Sequence, residues 1–332
     1  MLKSYKYRLY PNKEQTILLD KHFGCTRLVH NLALQTKVMT YMGSRRSVSC
    51  FELHRQLTEL KKEHPWLKEV NSQSLQQKIT DLDTGFKNFF KYDSGFPKFK
   101  SKHNKQSFRV NQNIQVDMDN NKLFIPKFKN GIKCRFSRAF NGTIKQCTIT
   151  RTKTGKYFVS ILVENDVKEP VKNEISENNS VGLDAGIKDF IVDSNGNKYE
   201  NHRFLKDSIE RIKVLQKRLS KKQKGSNNRK EARLKLAKEY EKLKNRREDH
   251  LHKLSTKLIS ENQGEIIVEY LNIQGMMKNH NLAGSISDVS WGEFFRMLEY
   301  KAGWYGRTFH KINRFEPSTK LCNNCGYKNN EL

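Results

Sequence analysis

Two carboxylates and a pair of cysteines carry the most chemistry in this sequence. Asp184 sits in Val181-Gly-Leu-Asp-Ala-Gly-Ile-Lys-Asp-Phe-Ile-Val-Asp-Ser-Asn-Gly196. Apolar residues flank it on both sides, and Ser194-Asn-Gly196 then signals a hairpin turn. Glu269 closes the short apolar run Glu265-Ile-Ile-Val-Glu269. This pattern predicts an acid at the end of each of two buried strands, and therefore one shared carboxylate site. A buried carboxylate needs a metal or a base as partner. Oxygen-only donors suit magnesium or manganese. Cys322-Asn-Asn-Cys325 has the spacing of a metal knuckle, but it supplies two of the four N or S ligands that zinc takes, a half-site.

The charge points to the partner. The chain has 332 residues, with 63 Lys and Arg against 35 Asp and Glu, a formal charge of +28. That exceeds what solubility needs and fits a long polyanion, nucleic acid before an anionic membrane. No run of about 18 apolar residues spans a bilayer, and the N-terminus lacks a signal-peptide core. Cys25, Cys50, Cys134 and Cys147 are isolated and read as buried small hydrophobes, so a reducing cytosol is expected.

The elements that must position these groups fall into three blocks. Residues 3–10 alternate basic and aromatic residues and read as a strand. Asn12 with Gln15 forms a helix-capping pair, and a helical block follows to residue 95, with Leu18, Phe23, Leu28 and Leu32 as the apolar side of its first helix. A basic linker then leads into short strands with turns at Asp119-Asn-Asn121, Asn130-Gly131, Asn141-Gly142 and Thr154-Gly155. The expectation is a small β-barrel built from 1–10 and 96–175, with residues 11–95 inserted as a helical lobe. Residues 178–332 form a further α/β domain. Within it, 203–261 read as a basic helical hairpin broken at Lys224-Gly-Ser-Asn-Asn228. Trp291, Phe294, Phe295 and Leu298 recur at helical spacing and read as core.

Candidate nucleic-acid contacts follow from this layout. Between Arg203 and Arg247 there are 18 Lys and Arg against five acids, where a neutral surface would mix signs. Arg211, Lys217, Arg218, Lys221, Arg229 and Arg233 are the phosphate contacts expected there. Lys98 and Lys100 in the linker and Arg151 at the end of a strand extend the basic surface. Tyr5, Tyr7 and Arg8 on the first strand are candidates, with half of that strand expected to face the core. Gln73, Gln76 and Gln77 share neighbouring faces of one helix, and glutamine can bond adenine in the major groove.

Several stretches together are similar to the TnpB proteins of bacterial transposons, ancestors of the type V CRISPR effectors. They are the Leu9-Tyr-Pro11 opening, Gly95-Phe-Pro-Lys-Phe-Lys100, Thr148-Ile-Thr-Arg-Thr-Lys-Thr-Gly-Lys-Tyr157, Gly182-Leu-Asp-Ala-Gly186, Val268-Glu-Tyr-Leu-Asn-Ile273 and Pro317-Ser-Thr-Lys-Leu-Cys-Asn-Asn-Cys-Gly326. The resemblance implies RNA-guided DNA recognition. It also implies a wedge β-barrel with an inserted recognition lobe, then a RuvC-type RNase H fold carrying a zinc ribbon (317–332 here). Asp184 and Glu269 match the first two catalytic acids, and Cys322 and Cys325 the first cysteine pair. The family's second pair and third acid have no counterpart in these 332 residues. The expectation that follows is a guide-RNA-directed binder of double-stranded DNA that represses transcription without cutting. The alternative is an endonuclease with a two-metal magnesium site.

Overall fold

The computed structural model describes residues 1–312 except 93, 169, 263 and 270, together with 327. The chain divides into two compact units, Met1–Val167 and Lys168–Leu332.

The first unit opens with β1 (Leu2–Tyr10), followed by three helices: α1 (Lys13–Ser44), α2 (Cys50–Glu63) and α3 (Ser72–Lys91). Strands β2 (Gln106–Val110), β3 (Gln115–Asp117), β4 (Lys122–Phe124), β5 (Ile132–Arg135), β6 (Thr143–Arg151) and β7 (Tyr157–Glu164) complete it. They form one antiparallel sheet in the order β2-β6-β7-β1-β5-β4-β3. β1 lies in its interior, with Tyr7 opposite Val159 and Leu9 opposite Cys134. All four expected turns are present, and at Gly142 only glycine fits: its φ is 124°, and a Cβ would meet the Glu164 carbonyl oxygen at 2.3 Å.

The barrel expectation is corrected. Among the described residues no pairing joins β2 to β3, so the sheet stays open. Phe108 of β2 and Leu123 of β4 nonetheless share one core with Leu19 and Phe23 of α1. The His22 ring lies 4.8 Å from Phe108 and 5.5 Å from Phe128, so helix side chains fill the place a closing strand pair would take.

α1 starts as its capping residues predict. Gln15 N–H donates to Asn12 Oδ1 at 2.8 Å, and Asn12 N–H donates to Gln15 Oε1 at 3.1 Å. Its buried face differs from the expected one: Leu19, Phe23, Cys25, Val29, Ala33 and Leu34 are inside, whereas Leu18, Leu28 and Leu32 are half-buried. The helix serves two cores in succession. Its first turns pack under the sheet, and Cys25 to Leu34 pack against Leu53, Leu57, Leu75 and Ile79 of α2 and α3.

The second unit contains β8 (Val181–Ala185), β9 (Asp189–Asp193), β10 (Lys198–Glu200), β11 (Glu265–Glu269) and β12 (Thr308–Ile312). Its helices are α4 (Phe204–Ser220), α5 (Asn227–Glu261), α6 (Ile273–Met276), α7 (His280–Val289) and α8 (Trp291–Tyr305). The sheet order is β10-β9-β8-β11-β12. β8 to β10 form an antiparallel meander, while β11 runs parallel to both β8 and β12. The parallel pairs follow from long helical crossovers, which antiparallel hairpins do not need. Residues 194–197 turn between β9 and β10, and residues 186–188 turn beside Asp184. Asp193, buried, holds the 194–197 turn by accepting from the Asn195 and Asn197 N–H groups at 3.0 and 2.9 Å. Burial works against its charge, but these bonds and those from the Asn197 side chain and Tyr199 prevail and keep the carboxyl below its ordinary range.

Trp291, Phe294, Phe295 and Leu298 are core, as their spacing predicts, packed with Leu251, Leu254 and Leu258 of α5 and with Val181, Leu183, Ile266 and Val268 of the sheet. No helix among the described residues is long and apolar enough to cross a membrane.

Candidate carboxylate centre and nucleic-acid surface

The register of two strands brings the two acids together. Leu183 pairs with Val268 across β8 and β11, so Asp184 and Glu269 are the next residues on neighbouring parallel strands. Leu183 and Val268 point into the core; side chains alternate along a strand, so both acids lie on the opposite face. Adjacent strands run about 4.8 Å apart, which sets the scale of their separation.

The expected burial is corrected. Asp184 is exposed and Glu269 half-buried, because each follows the last core residue of its strand. Neither carboxylate has a hydrogen-bond or ion-pair partner among the described residues, in a chain with 63 basic side chains. Two free, aligned carboxylates are a donor set for a hard divalent cation, whose remaining positions water and phosphate oxygens fill. No cluster of three or more His, Cys, Asp or Glu suited to a metal occurs among the described residues. Asp189 starts β9 and pairs in register with Glu200 of β10, away from Asp184, which faces Val192. Cys322 and Cys325 lie outside the described residues. Cys25, Cys134 and Cys147 are buried as expected, and burial pushes the Cys134 and Cys147 thiols up to about 12; Cys50 is half-buried.

The helical hairpin divides its cations between two tasks. Lys217, Arg218, Lys221 and Arg233 are exposed, with no hydrogen-bond or ion-pair partner among the described residues. Arg211 is exposed and paired with Glu239 at 3.0 Å. Arg229 is taken by the fold: its guanidinium donates to the Leu219 and Lys222 carbonyls at 2.9 and 2.6 Å and closes the α4–α5 turn. A residue the sequence reading missed anchors this hairpin. Asp288 accepts from the Leu205 N–H at 3.0 and 2.9 Å at the start of α4, and pairs with Arg247 of α5 at 2.6 Å. Only its place just before an aromatic helix hinted at this.

The first unit sorts its candidates in the same way. Tyr7 is core, and its hydroxyl donates to the Arg138 carbonyl at 2.8 Å; Tyr5 packs beside it. Arg8 faces out over the Phe158 ring, 5.0 Å from its centroid. Arg151 pairs with Asp20 at 2.7 Å. Gln77 donates to Asp81 at 3.0 Å and accepts from Asn111 at 2.6 Å, and Gln73 donates to Gln112 at 2.6 Å. Of the three glutamines, Gln76 alone is exposed with an uncommitted amide among the described residues. Lys98 is exposed, and Lys100 is half-buried beside α1.

Comparison with known proteins places these observations in a lineage. Residues 160–280 match the IS605 OrfB family, described as "Probable transposase", and residues 291–332 match a Cas12f1-like TNB domain. Residues 1–43 match a model described as a helix-turn-helix domain; in this chain they are a strand followed by one long helix. A Streptomyces pristinaespiralis protein, named for RNA-guided DNA endonuclease activity, is 38% identical over 328 residues, covering 98% of this chain and 80% of that one. InsQ of Escherichia coli K12, named likewise, is 31% identical over 350 residues, covering 100% and 85%. A chain of the Cas12f1–sgRNA–target DNA complex superposes with a TM-score of 0.49 at 14% identity, covering 100% of this chain and 93% of that one.

Proposed function

The chain belongs to the TnpB family, and from that premise we propose that it is an RNA-guided DNA-binding protein whose Asp184 and Glu269 form part of a magnesium-dependent cutting centre. The observation that carries this is the pairing of two unpartnered carboxylates at the ends of adjacent parallel strands. The strand order, a three-stranded meander continued by two parallel strands, supports the RuvC-type RNase H reading of the second unit.

In this reading guide pairing selects the sequence, and the protein reads duplex shape and a short flanking motif. Lys217, Arg218, Lys221 and Arg233 contact phosphates of the guide–target duplex, and Gln76 contributes to the flanking motif. A bound magnesium supplies charge neutralisation at the phosphodiester and an activated water. Asp184 and Glu269 would hold it by their carboxylate oxygens. Cys322 and Cys325 are proposed as two thiolate ligands of a zinc ribbon. The relatives' endonuclease names support cutting over occupancy without cutting.

One gel assay tests this. The purified protein is combined with RNA transcribed from its own locus, magnesium, and matched duplex DNA carrying a randomised flank. Guide-dependent cutting lost in Asp184→Asn, with the shift retained, is the expected result. A guide-dependent shift with intact DNA in the wild type would instead favour the repressor. A shift indifferent to the guide would remove both readings.

A further inference from the structure

Cations also converge in the first unit. A small pocket opens between α1, α3 and the segment leading into β2, lined by Arg27, Lys78, Lys100 and Lys105 together with Thr26 and Gln106. No carboxylate lines it. Lys78 reaches Asp81 at 3.3 Å, but Asp81 is shared with Arg109 at 3.7 Å and with Gln77. Arg27 donates to Gln106 Oε1 at 2.8 Å. The Lys100 and Lys105 ammonium groups have no hydrogen-bond or ion-pair partner among the described residues. Burial and the nearby Lys78 charge both press on the Lys100 ammonium and lower its pKa. A second negative charge is therefore missing from the balance of this pocket.

The pocket is built in advance. Asn31 of α1 clamps Lys100 by both backbone groups, accepting from its N–H at 2.8 Å and donating to its carbonyl at 2.9 Å. The Gln106 amide gathers the carbonyls of Ser101, Lys102 and Asn104, so the loop carrying Lys105 is closed on itself. The pocket is small and partly open, with about 30 Å³ of space at its centre. It admits one phosphate oxygen and leaves the rest of the ligand outside, which suits a polymer backbone better than a small free anion. Phe99, next to Lys100 in sequence, is 57% exposed, whereas Phe96 packs edge-on against Phe86 and Phe89. A bare aromatic face next to a phosphate site is the arrangement that holds an unstacked base.

We propose that this pocket binds one phosphodiester of a single nucleic-acid strand, through Lys100, Lys105, Lys78 and Arg27, with the neighbouring base on Phe99. The inference rests on the nucleic-acid reading of the chain above and adds a defined single-strand subsite to it.

Fluorescence anisotropy of the full chain with labelled 15-nucleotide oligouridine and oligodeoxythymidine, across a salt series, tests it. Lys100→Gln and Lys105→Gln are each compared with Lys129→Gln, an exposed control on the loop before β5. Each pocket variant is expected to weaken binding about tenfold and flatten the log–log salt slope by about 0.7. Phe99→Ala is expected to cost about tenfold with the slope unchanged. Losses confined to oligouridine assign the subsite to guide RNA, and equal losses on both probes assign it to the shared phosphate chemistry. Thermal melts identify any misfolded variant, and Lys105→Gln, on an exposed side chain, keeps the test open if Lys100→Gln unfolds. Pocket variants that match Lys129→Gln would overturn the subsite while leaving guide-directed binding standing. A wild type that binds neither strand would overturn both.

Discussion

The two sheets of this protein spend their polar groups in opposite ways. In the seven-stranded sheet and its helices, most candidate side chains are bonded within the fold: Tyr7 to Arg138, Arg151 to Asp20, Gln77 to Asp81 and Asn111. In the five-stranded sheet the two most suggestive acids have no protein partner among the described residues, although basic side chains are abundant. An antiparallel sheet joined by short turns satisfies its neighbours locally. Parallel strands end together on one edge, where crossovers leave space and side chains can stay free for a ligand. A bonded side chain reports on architecture, and an unbonded one of the right chemistry reports on function.

That contrast breaks most sharply at Asp184. Asp184→Asn is expected to reduce magnesium-dependent, guide-directed cutting about 1000-fold, roughly 4 kcal/mol of barrier, with a melting temperature unchanged within about 1 °C. A cutting rate equal to wild type would remove the pair from the chemistry.

In the first unit the largest effect is on stability. His22 Nε2 accepts from the Asn71 N–H at 3.0 Å, so Nδ1 carries the proton and donates to the Leu18 carbonyl at 2.7 Å. Burial lowers the His22 pKa from 6.5 to about 4. Between those values the unfolded chain takes up a proton that the folded one refuses. Stability from this site is complete above pH 6.5 and falls by about 3 kcal/mol as the pH drops to 4. Melting followed from pH 7.5 to 4.5 should show the loss, and His22→Asn should flatten it.

Smaller effects separate bonded from unbonded groups within one hairpin. Asp288→Ala leaves Arg247 unpaired and the first turn of α4 uncapped, an expected loss of about 2 kcal/mol with faster amide exchange at Leu205. Arg229→Gln should lower the melting temperature by a few degrees, because two carbonyls lose their donor. Arg218→Gln should leave the melt unchanged while flattening the salt dependence of duplex binding by about 0.9. Equal behaviour of Arg229 and Arg218 in both assays would erase the distinction.

Much of the architecture was legible because it is written in local rules. The Asn12–Gln15 cap, the turns at Gly131, Gly142 and Gly155, and the periodic aromatics of α8 each depend on neighbours in sequence. The face of α1 was misread because two cores claim it in succession, and no single period describes that. The barrel was overestimated for a related reason: alternation predicts strands but is silent on whether the outer two meet.

The sequence by itself determined that the chain is strongly basic, as a partner of a polyanion would be, with an acid at the end of each of two strands, since charge and period-two patterning are properties of the chain alone. Only the tertiary structure decided that β8 and β11 are neighbours in a register that sets Asp184 beside Glu269, and that Arg229 and Gln77 belong to the fold. Register and hydrogen-bond partnership are relations between residues far apart in sequence, fixed by packing against a common core.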